Sequence, residues 1–479
     1  MDDRSDRYID TIVDRVIARL EGEPAATLSP PPPSPARTRT GVFGDLDSAV
    51  RAAGEAFLEL SSVPLETRKK MVEAARRAAA EAAPSLAEQA VAETGMGRVE
   101  DKIRKNLLVA TKTPGMEILE PWATTGDHGL TLVDYAPYGV IGAIVPSTNP
   151  TETVINNGIG MVAAGNTVVF NAHPGAKGCT NRCLSILNDA MHAAGGPPFV
   201  FTAVEEPTIE TAQALMKHPD VRLVVVTGGP AVVREAMASG KRVVAAGPGN
   251  PPSVVDETAD FDQAGRDLVA GASLDNNIIC TDEKEVISVA SVADRLKEAM
   301  SRAGAYELEG SMIGKLKSLV LAEDRGPAAH SVVRKEFVGK NAGYILDALG
   351  VAVHGDPRLV LVEVPQEHPF VWTELLMPVF PLARVPNVDA GIDLARRAEH
   401  GFRHTASMHS RNIDKLSKMA RVMNTSIFVK NGPNYAGLGF GGEGFTSFTI
   451  ASPTGDGLTN ARTWTRPRRC VLVDRFRIV

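Results

Sequence analysis

The chain has 479 residues, 44% of them hydrophobic and 23% charged, with a formal net charge of −6. At roughly 150 residues per domain that length allows two to four domains, with a core that needs no disulfide or metal, and the composition excludes a largely disordered protein. The acidic balance argues against nucleic acid as the main partner, no apolar run approaches the roughly 18 residues of a membrane span, and the start Met1-Asp2-Asp3 is not a secretory signal.

Ile9, Ile12, Val13, Val16, Ile17 and Leu20 fall on one helical stripe, which predicts an amphipathic helix over residues 5–21. Ser5 caps its start, and Gly22 and Pro24 stop it. The following stretch to Thr40 holds Pro30, Pro31, Pro32, Pro33 and Pro35 and is predicted as an extended spacer. Nothing in that spacer covers the apolar stripe, so the helix docks on its own globular body or on a partner. Acidic residues outnumber basic ones on the segment, which disfavours a membrane surface.

From about Gly41 the pattern is α/β. Residues 45–113 are rich in Ala, Glu, Arg and Leu and predict several helices. Leu130 to Tyr138 predicts a strand ended by Gly139, and Val140 to Val145, closed by Pro146, a buried parallel strand. Helices near 151–164, 176–194, 208–217 and 230–239 then alternate with strands Thr167 to Asn171, Val200 to Val204, Arg222 to Thr227 and Arg242 to Ala246. That alternation predicts a doubly wound sheet. A second α/β stretch runs from about 254 to 430, and the tail 462–479 carries two apolar strings, Val471 to Val473 and Phe476 to Val479.

Gly439-Phe440-Gly441-Gly442-Glu443-Gly444 matches G-x-G-x-x-G by letters, but no clear strand precedes it and no helix follows, so it is not a dinucleotide fingerprint. Thr227-Gly228-Gly229-Pro230 does follow a strand and open a helix; it suits a pyrophosphate or is an ordinary tight turn. Four cysteines are too few for a disulfide framework, which points to a reducing, cytoplasmic setting. Cys179 and Cys183 lie four apart on a predicted helix with Leu184 and Leu187, as packing residues do, and Cys470 beside Arg468 and Arg469 is a surface or interface thiol. Cys280 follows a loop-like polar stretch, Gly271 to Ile279, where a thiol can be exposed in a cleft and activated as thiolate, or can simply pack. His400 and His404 are spaced like helix ligands, but Gly401 intervenes and no third ligand follows, so a hydrogen-bonded or solvated pair is expected and no metal site. No G-x-S-x-G elbow is present.

Together these residues carry a resemblance. The run from Tyr138 through Val145 to Pro146-Ser147-Thr148-Asn149-Pro150 resembles the strand and oxyanion-asparagine loop of the aldehyde dehydrogenase superfamily. Gly165 to Phe170 resembles its next strand, Thr227-Gly228-Gly229 its nucleotide loop, Cys280 its nucleophile, and Glu374-Leu375-Leu376-Met377-Pro378-Val379 its E-x-x-x-P-V segment. The resemblance spans about residues 41–479. Three departures narrow it. The hydrolytic members carry a glutamate base in an E-L-G-G-K segment; the matching stretch here, Ala246 to Pro252, has no acid. The usual lysine for the adenosine ribose is replaced near Asn171-Ala172-His173. The flank Asn276-Asn277-Ile278-Ile279-Cys280-Thr281 resembles the CoA-acylating branch, and with Pro146 to Glu152 it is similar to the propionaldehyde and acetaldehyde dehydrogenases of bacterial microcompartments. Their N-terminal amphipathic helix on a Pro-rich linker is what residues 5–40 resemble.

That resemblance implies the aldehyde dehydrogenase fold. A Rossmann-like domain for NAD and CoA would cover 41–253, with strand 128–138 contributing to oligomerisation. A catalytic α/β domain would cover 254–430, and a C-terminal return with an oligomerisation strand 431–479; a docking helix, 1–23, and linker, 24–40, would precede them. It implies Cys280 as nucleophile and Asn149 as oxyanion donor, and cofactor contacts from Ser147, Thr148, Asn171, His173, Thr227, Gly228, Gly229, Gly247 and Glu374. The implied reaction joins a short-chain aldehyde, NAD and CoA into acyl-CoA and NADH. The implied partners are a second copy of the chain, as dimer or tetramer, and a microcompartment shell or cargo protein held by residues 1–23. A hydrolytic dehydrogenase, a phosphorylating semialdehyde reductase and a non-catalytic scaffold are the alternatives.

Overall fold

Short runs of β-branched residues closed by glycine or proline form parallel strands here, and the periodic Ala- and Leu-rich stretches between them form the covering helices. The computed structural model describes residues 41–479. The helix and spacer expected over residues 1–40 lie outside the described residues.

The first sheet has six strands in the spatial order Val42–Phe43, Phe201–Val204, Thr167–Asn171, Val140–Ile144, Val221–Thr227, Arg242–Ala246. Every pairing is parallel. Val140–Ile144 and Thr167–Asn171 are buried at every position, which is why they appear in the sequence as continuous apolar runs. Residues 45–113 form three helices, Leu46–Leu60, Leu65–Thr94 and Val99–Lys112. Asp45 caps the first by accepting from the Ser48 N–H at 2.8 Å. The helix Pro150–Ala163 is buried along its whole length, so its polar residues must find partners inside the protein.

The second sheet has seven parallel strands: Ala305–Glu307, Leu359–Glu363, Val379–Val385, Glu285–Val289, Pro252–Val255, Thr405–His409 and Ile427–Lys430. A third, antiparallel sheet joins Trp122–Gly126, Gly129–Pro137 and Thr465–Val473. The apolar string Val471 to Val473 ends that last strand, with Val473 opposite Gly129. The string Phe476 to Val479 is exposed and belongs to no strand. The Gly439 run follows a short 3-10 turn, Asn434–Leu438, and no helix follows it. Among the described residues no helix is long and apolar enough to cross a membrane.

Helices Phe261–Ser273 and Ala293–Arg302 meet at Gly265, where a Cβ would stand 2.7 Å from the carbonyl carbon of Ala299. Backbone cannot yield as a flexible side chain can. Gly265→Ala is expected to destabilise the protein by about 1–3 kcal/mol, read by denaturant unfolding; an unchanged midpoint would contradict this packing.

Candidate active site

The first sheet reverses direction beside Val140–Ile144. The chain lays two further strands on one side of it, then returns to lay Val221–Thr227 and Arg242–Ala246 on the other. In open α/β sheets the ligand crevice lies outside the carboxyl ends of the strands at such a switch point. Ser147, Thr148 and Asn149 follow Val140–Ile144; Asn171 and His173 end and follow the next strand; Thr227, Gly228 and Gly229 end and follow Val221–Thr227; Gly247 follows Arg242–Ala246. The topology therefore gathers them on one edge.

Their side chains differ in what they leave free. A Cβ on Gly229 would meet nothing within 4 Å, and Gly229 caps the helix Pro230–Met237, whose amide end favours a phosphate. That open cradle at the switch point fits a dinucleotide. Thr227 Oγ1 lies 2.8 Å from Thr449 Oγ1. Asn171 is buried and its Oδ1 accepts from Thr211 Oγ1 at 2.8 Å, so its amide is committed to the fold. His173 Nδ1 accepts from the Gly175 N–H at 3.1 Å. Partial burial and the Lys335 charge hold its ring below the usual histidine range.

Residues 247–251 carry the chain from this carboxyl edge to the amino edge of the second sheet. Cys280 and Lys284 precede Glu285–Val289, Glu374 precedes Val379–Val385, and His404 precedes Thr405–His409. Gly249 is the contact between the two edges. A Cβ there would stand 2.8 Å from the Cys280 carbonyl oxygen and 3.1 Å from His404 Cγ, and the Gly249 N–H donates to Glu374 Oε1 at 3.4 Å. Cys280, Glu374, His404 and Gly249 thus form one cluster.

The loop-like polar stretch before Cys280 is buried. Asp275, Asn276 and Asn277 take φ values of 46°, 58° and 65°, a left-handed turn that Asp and Asn tolerate better than other side chains. Each is tied down. Asn276 Nδ2 donates to the Gly339 carbonyl and to Asn341 Oδ1, both at 2.8 Å. Asn277 Nδ2 donates to the carbonyls of Ala272 and Glu283. The buried Lys284 ammonium donates to Asn277 O and Oδ1 at 2.8 Å and to Ile279 O at 3.0 Å. Asp275 accepts from the Arg98 N–H at 2.7 Å, from Lys102 Nζ at 2.9 Å and from Lys105 Nζ at 2.5 Å. Gly97, at φ 80°, makes room for it, since a Cβ there would fall 2.1 Å from Asp275 Oδ1. On the other side, Lys105 Nζ donates to Asn149 Oδ1 at 2.6 Å, and Lys102 Nζ to the Thr148 carbonyl at 3.1 Å.

Cys280 is half-buried, and its thiol is pushed up to about 12 by burial and by the neighbouring Glu374 carboxylate. Burial likewise raises Glu374 to about 7, against the opposing Lys284 charge and the Gly249 N–H. Of the two readings of the histidine pair, the hydrogen-bonded one holds for both His400 and His404. His404 is fully buried, its Nδ1 lies 2.9 Å from Thr405 Oγ1, and burial with the Lys284 charge drives its ring down to about 3, so it stays neutral. His400 Nε2 lies 2.8 Å from the Trp372 carbonyl. Cys179 and Cys183 are buried and Cys470 is exposed. Among the described residues no cluster of three His, Cys, Asp or Glu is placed to hold a metal.

Sequence reasoning missed Lys102, Lys105 and Lys284 as site residues, and with them His404. The charges of Val99–Lys112 look like a solvated helix face, and only the fold shows that Asp101, Lys102, Lys105 and Asn106 are buried.

The aldehyde dehydrogenase family model matches residues 36–318. The chain is 50% identical over 476 residues to the acetylating acetaldehyde dehydrogenase EutE of Salmonella typhimurium, covering 98% of this chain and 99% of that protein. It is 46% identical over 439 residues to the CoA-propanoylating propanal dehydrogenase of Citrobacter freundii, covering 91% and 94%. Its fold matches Rhodopseudomonas palustris propionaldehyde dehydrogenase, solved with bound CoA and an acylated cysteine, at a TM-score of 0.88 and 47% identity over 91% of this chain and 98% of that one. It also matches a propionaldehyde dehydrogenase from the fucose utilisation microcompartment of Clostridium phytofermentans, at a TM-score of 0.89 and 44% identity over 92% and 100%.

Because the Glu374 carboxylate helps to hold the Cys280 thiol up, Glu374→Gln should lower the thiol pKa. At pH 8 and without cofactor, alkylation of Cys280 by iodoacetamide should then quicken by roughly two-fold or more. A slower or unchanged rate would show that Glu374 does not act on the sulfur.

Proposed function

The chain belongs to the aldehyde dehydrogenase family, and from that premise we propose that it is an NAD-dependent, CoA-acylating aldehyde dehydrogenase acting on a short-chain aldehyde. The observation that carries this is the acid-free stretch Ala246 to Pro252, in which Ala246 stands where the hydrolytic members carry their glutamate base.

In this mechanism the Cys280 sulfur attacks the aldehyde carbon and forms a thiohemiacetal. Asn149 Nδ2 and the Cys280 backbone N–H donate to the oxygen on which negative charge develops, and losing one such donor typically costs about 10²–10³ in rate. The bound nicotinamide supplies the hydride acceptor. Thr227, Gly228, Gly229 and Gly247 line its crevice with Ser147 and Thr148, and Glu374 orients the nicotinamide ribose. What remains on Cys280 is a thioester. A thiol of pKa about 8.5 offers far more anion at neutral pH than water, at about 15.7, so CoA can take the acyl group without a strong protein base. Ala246, in place of the hydrolytic members' glutamate, gives water no base to activate it. The one feature a hydrolytic reading has in its favour is Glu374, held near neutrality beside Cys280.

Residues 1–23 serve as a docking helix that carries the enzyme into a bacterial microcompartment as cytoplasmic cargo. Six aliphatic residues on one stripe support this, as does the microcompartment origin of a close structural match. The strand Thr465–Val473 has one edge on Gly129–Pro137, and the exposed apolar residues Val471, Leu472 and Val473 support pairing with a second copy, in a dimer or tetramer.

A product assay with NAD and an aldehyde series should give acyl-CoA only when free CoA is present. Steady NADH formation with free acid and no CoA would overturn the acyl-transfer reading and hand the base role to Glu374. Deleting residues 1–23 should leave the soluble rate within about two-fold, because the net binding of such a stripe is modest and reversible, and should abolish co-purification with shells. Retention in shells would remove the docking role; loss of activity would place the helix in the body of the enzyme.

A further inference from the structure

Asn149 can serve as an oxyanion donor only if its amide nitrogen, not its carbonyl oxygen, is offered to the developing charge. The two ends of an amide are nearly alike in shape, so the side chain must be told which way to lie. Asn149 starts the buried helix Pro150–Ala163 and is 7% exposed. Its Nδ2 donates to Thr148 Oγ1 at 3.3 Å and, among the described residues, to no other group. Its Oδ1 accepts from Lys105 Nζ at 2.6 Å. An ammonium has three donors and no acceptor, so it accepts only the carbonyl end as its neighbour. Turning the amide over would set two donors face to face, in a place where water cannot relieve the clash.

Lys105 is itself immobile. It is 1% exposed, with Asp275 at 2.5 Å and Glu152 at 2.9 Å, and both carboxylates are fully buried. Burial by itself would lower the ammonium pKa; the two carboxylates outweigh it and raise the group above its ordinary value, so the charge is permanent. A fixed cation on the amide oxygen also draws electron density through the conjugated amide and makes the N–H a stronger donor.

We propose that Lys105 is a positioning residue for catalysis: clamped between Asp275 and Glu152, it locks the Asn149 amide with its nitrogen toward the oxyanion and polarises it as a donor. The proposal rests on the oxyanion role given to Asn149 above. Asp275 makes the arrangement economical, since the same carboxylate anchors the turn that leads to Cys280 and so sets donor and nucleophile against one reference point.

The test is a double-mutant cycle in kcat/KM for the aldehyde at saturating NAD and CoA. Asn149→Ala should lose about 10²–10³-fold, and Lys105→Met about ten-fold or more. The double variant should be no worse than Asn149→Ala alone, within roughly three-fold, because Lys105 acts only through that amide. Losses that multiply would overturn the proposal. The rate of Cys280 alkylation by iodoacetamide should be the same in Lys105→Met and wild type; a change in step with kcat/KM would mean that Lys105 acts through the cysteine loop and would also overturn it. If Asn149→Ala keeps the wild-type rate, the oxyanion role falls and the proposal with it, while the CoA requirement stands on its own assay. Should Lys105→Met not fold, the charge-balanced Lys105→Met/Glu152→Gln variant takes its place. A crystal structure of the wild-type acyl-enzyme decides without any variant. The acyl oxygen should lie on Asn149 Nδ2 with Lys105 on Oδ1, and Lys105 on the acyl oxygen itself, or away from Asn149, would refute the assignment.

Discussion

A charged amine taken out of water must be neutralised where it stands, and the region around Cys280 is organised by that demand. Lys102 and Lys105 share the Asp275 carboxylate, and all three are buried. Removing one partner of such a cluster typically costs about 3–5 kcal/mol, a large part of the roughly 5–15 kcal/mol by which a protein is stable. The cluster is therefore not free to loosen. Because its members come from Val99–Lys112 and the turn before Cys280, and because it grips Thr148 and Asn149, it fixes the distance between the two groups assigned to the reacting carbonyl. Lys284 does the same from the other side, holding Asn277 and Ile279 by their oxygens.

The second constraint is the way the two parallel sheets share an edge. The residues assigned to the cofactor lie at the carboxyl ends of the first sheet, while the cysteine cluster stands at the amino ends of the second, and residues 247–251 bridge the two. Gly249 sits at the tightest point of that bridge. Ala246, just before that bridge, stands where the hydrolytic members of the family carry a glutamate, and residues 246–252 supply no acid. The high thiol pKa belongs to the same geometry. Burial and the neighbouring Glu374 carboxylate together push the Cys280 thiol up.

Most of the scaffold was legible in the sequence, because buried parallel strands and their covering helices leave strong periodic signals. Thr167–Asn171 and Arg242–Ala246 have the predicted bounds, and the helices around them differ by a residue or two. The glycine pair after Thr227 was placed by the strand before it and the proline after it. The left-handed turn at Asp275, Asn276 and Asn277 was not legible. Its polarity resembles a solvated loop, and its burial depends on Gly97, Gly339 and Asn341, far away in the chain. Lys102 and Lys105 were hidden for the same reason, since a charged helix face shows in sequence only that it is charged. The string Phe476 to Val479 has strand composition but forms no strand, and among the described residues none pairs with it.

The account stands on an acyl group held by Cys280 until CoA takes it. Enzyme mixed with NAD and aldehyde but no CoA, quenched rapidly and digested, measures this directly. The predicted result is one NADH per active site in a burst, an acyl mass increment on the Cys280 peptide that persists, and its loss with release of acyl-CoA once CoA is added. An absent burst, or an increment on any other residue, would contradict the covalent mechanism.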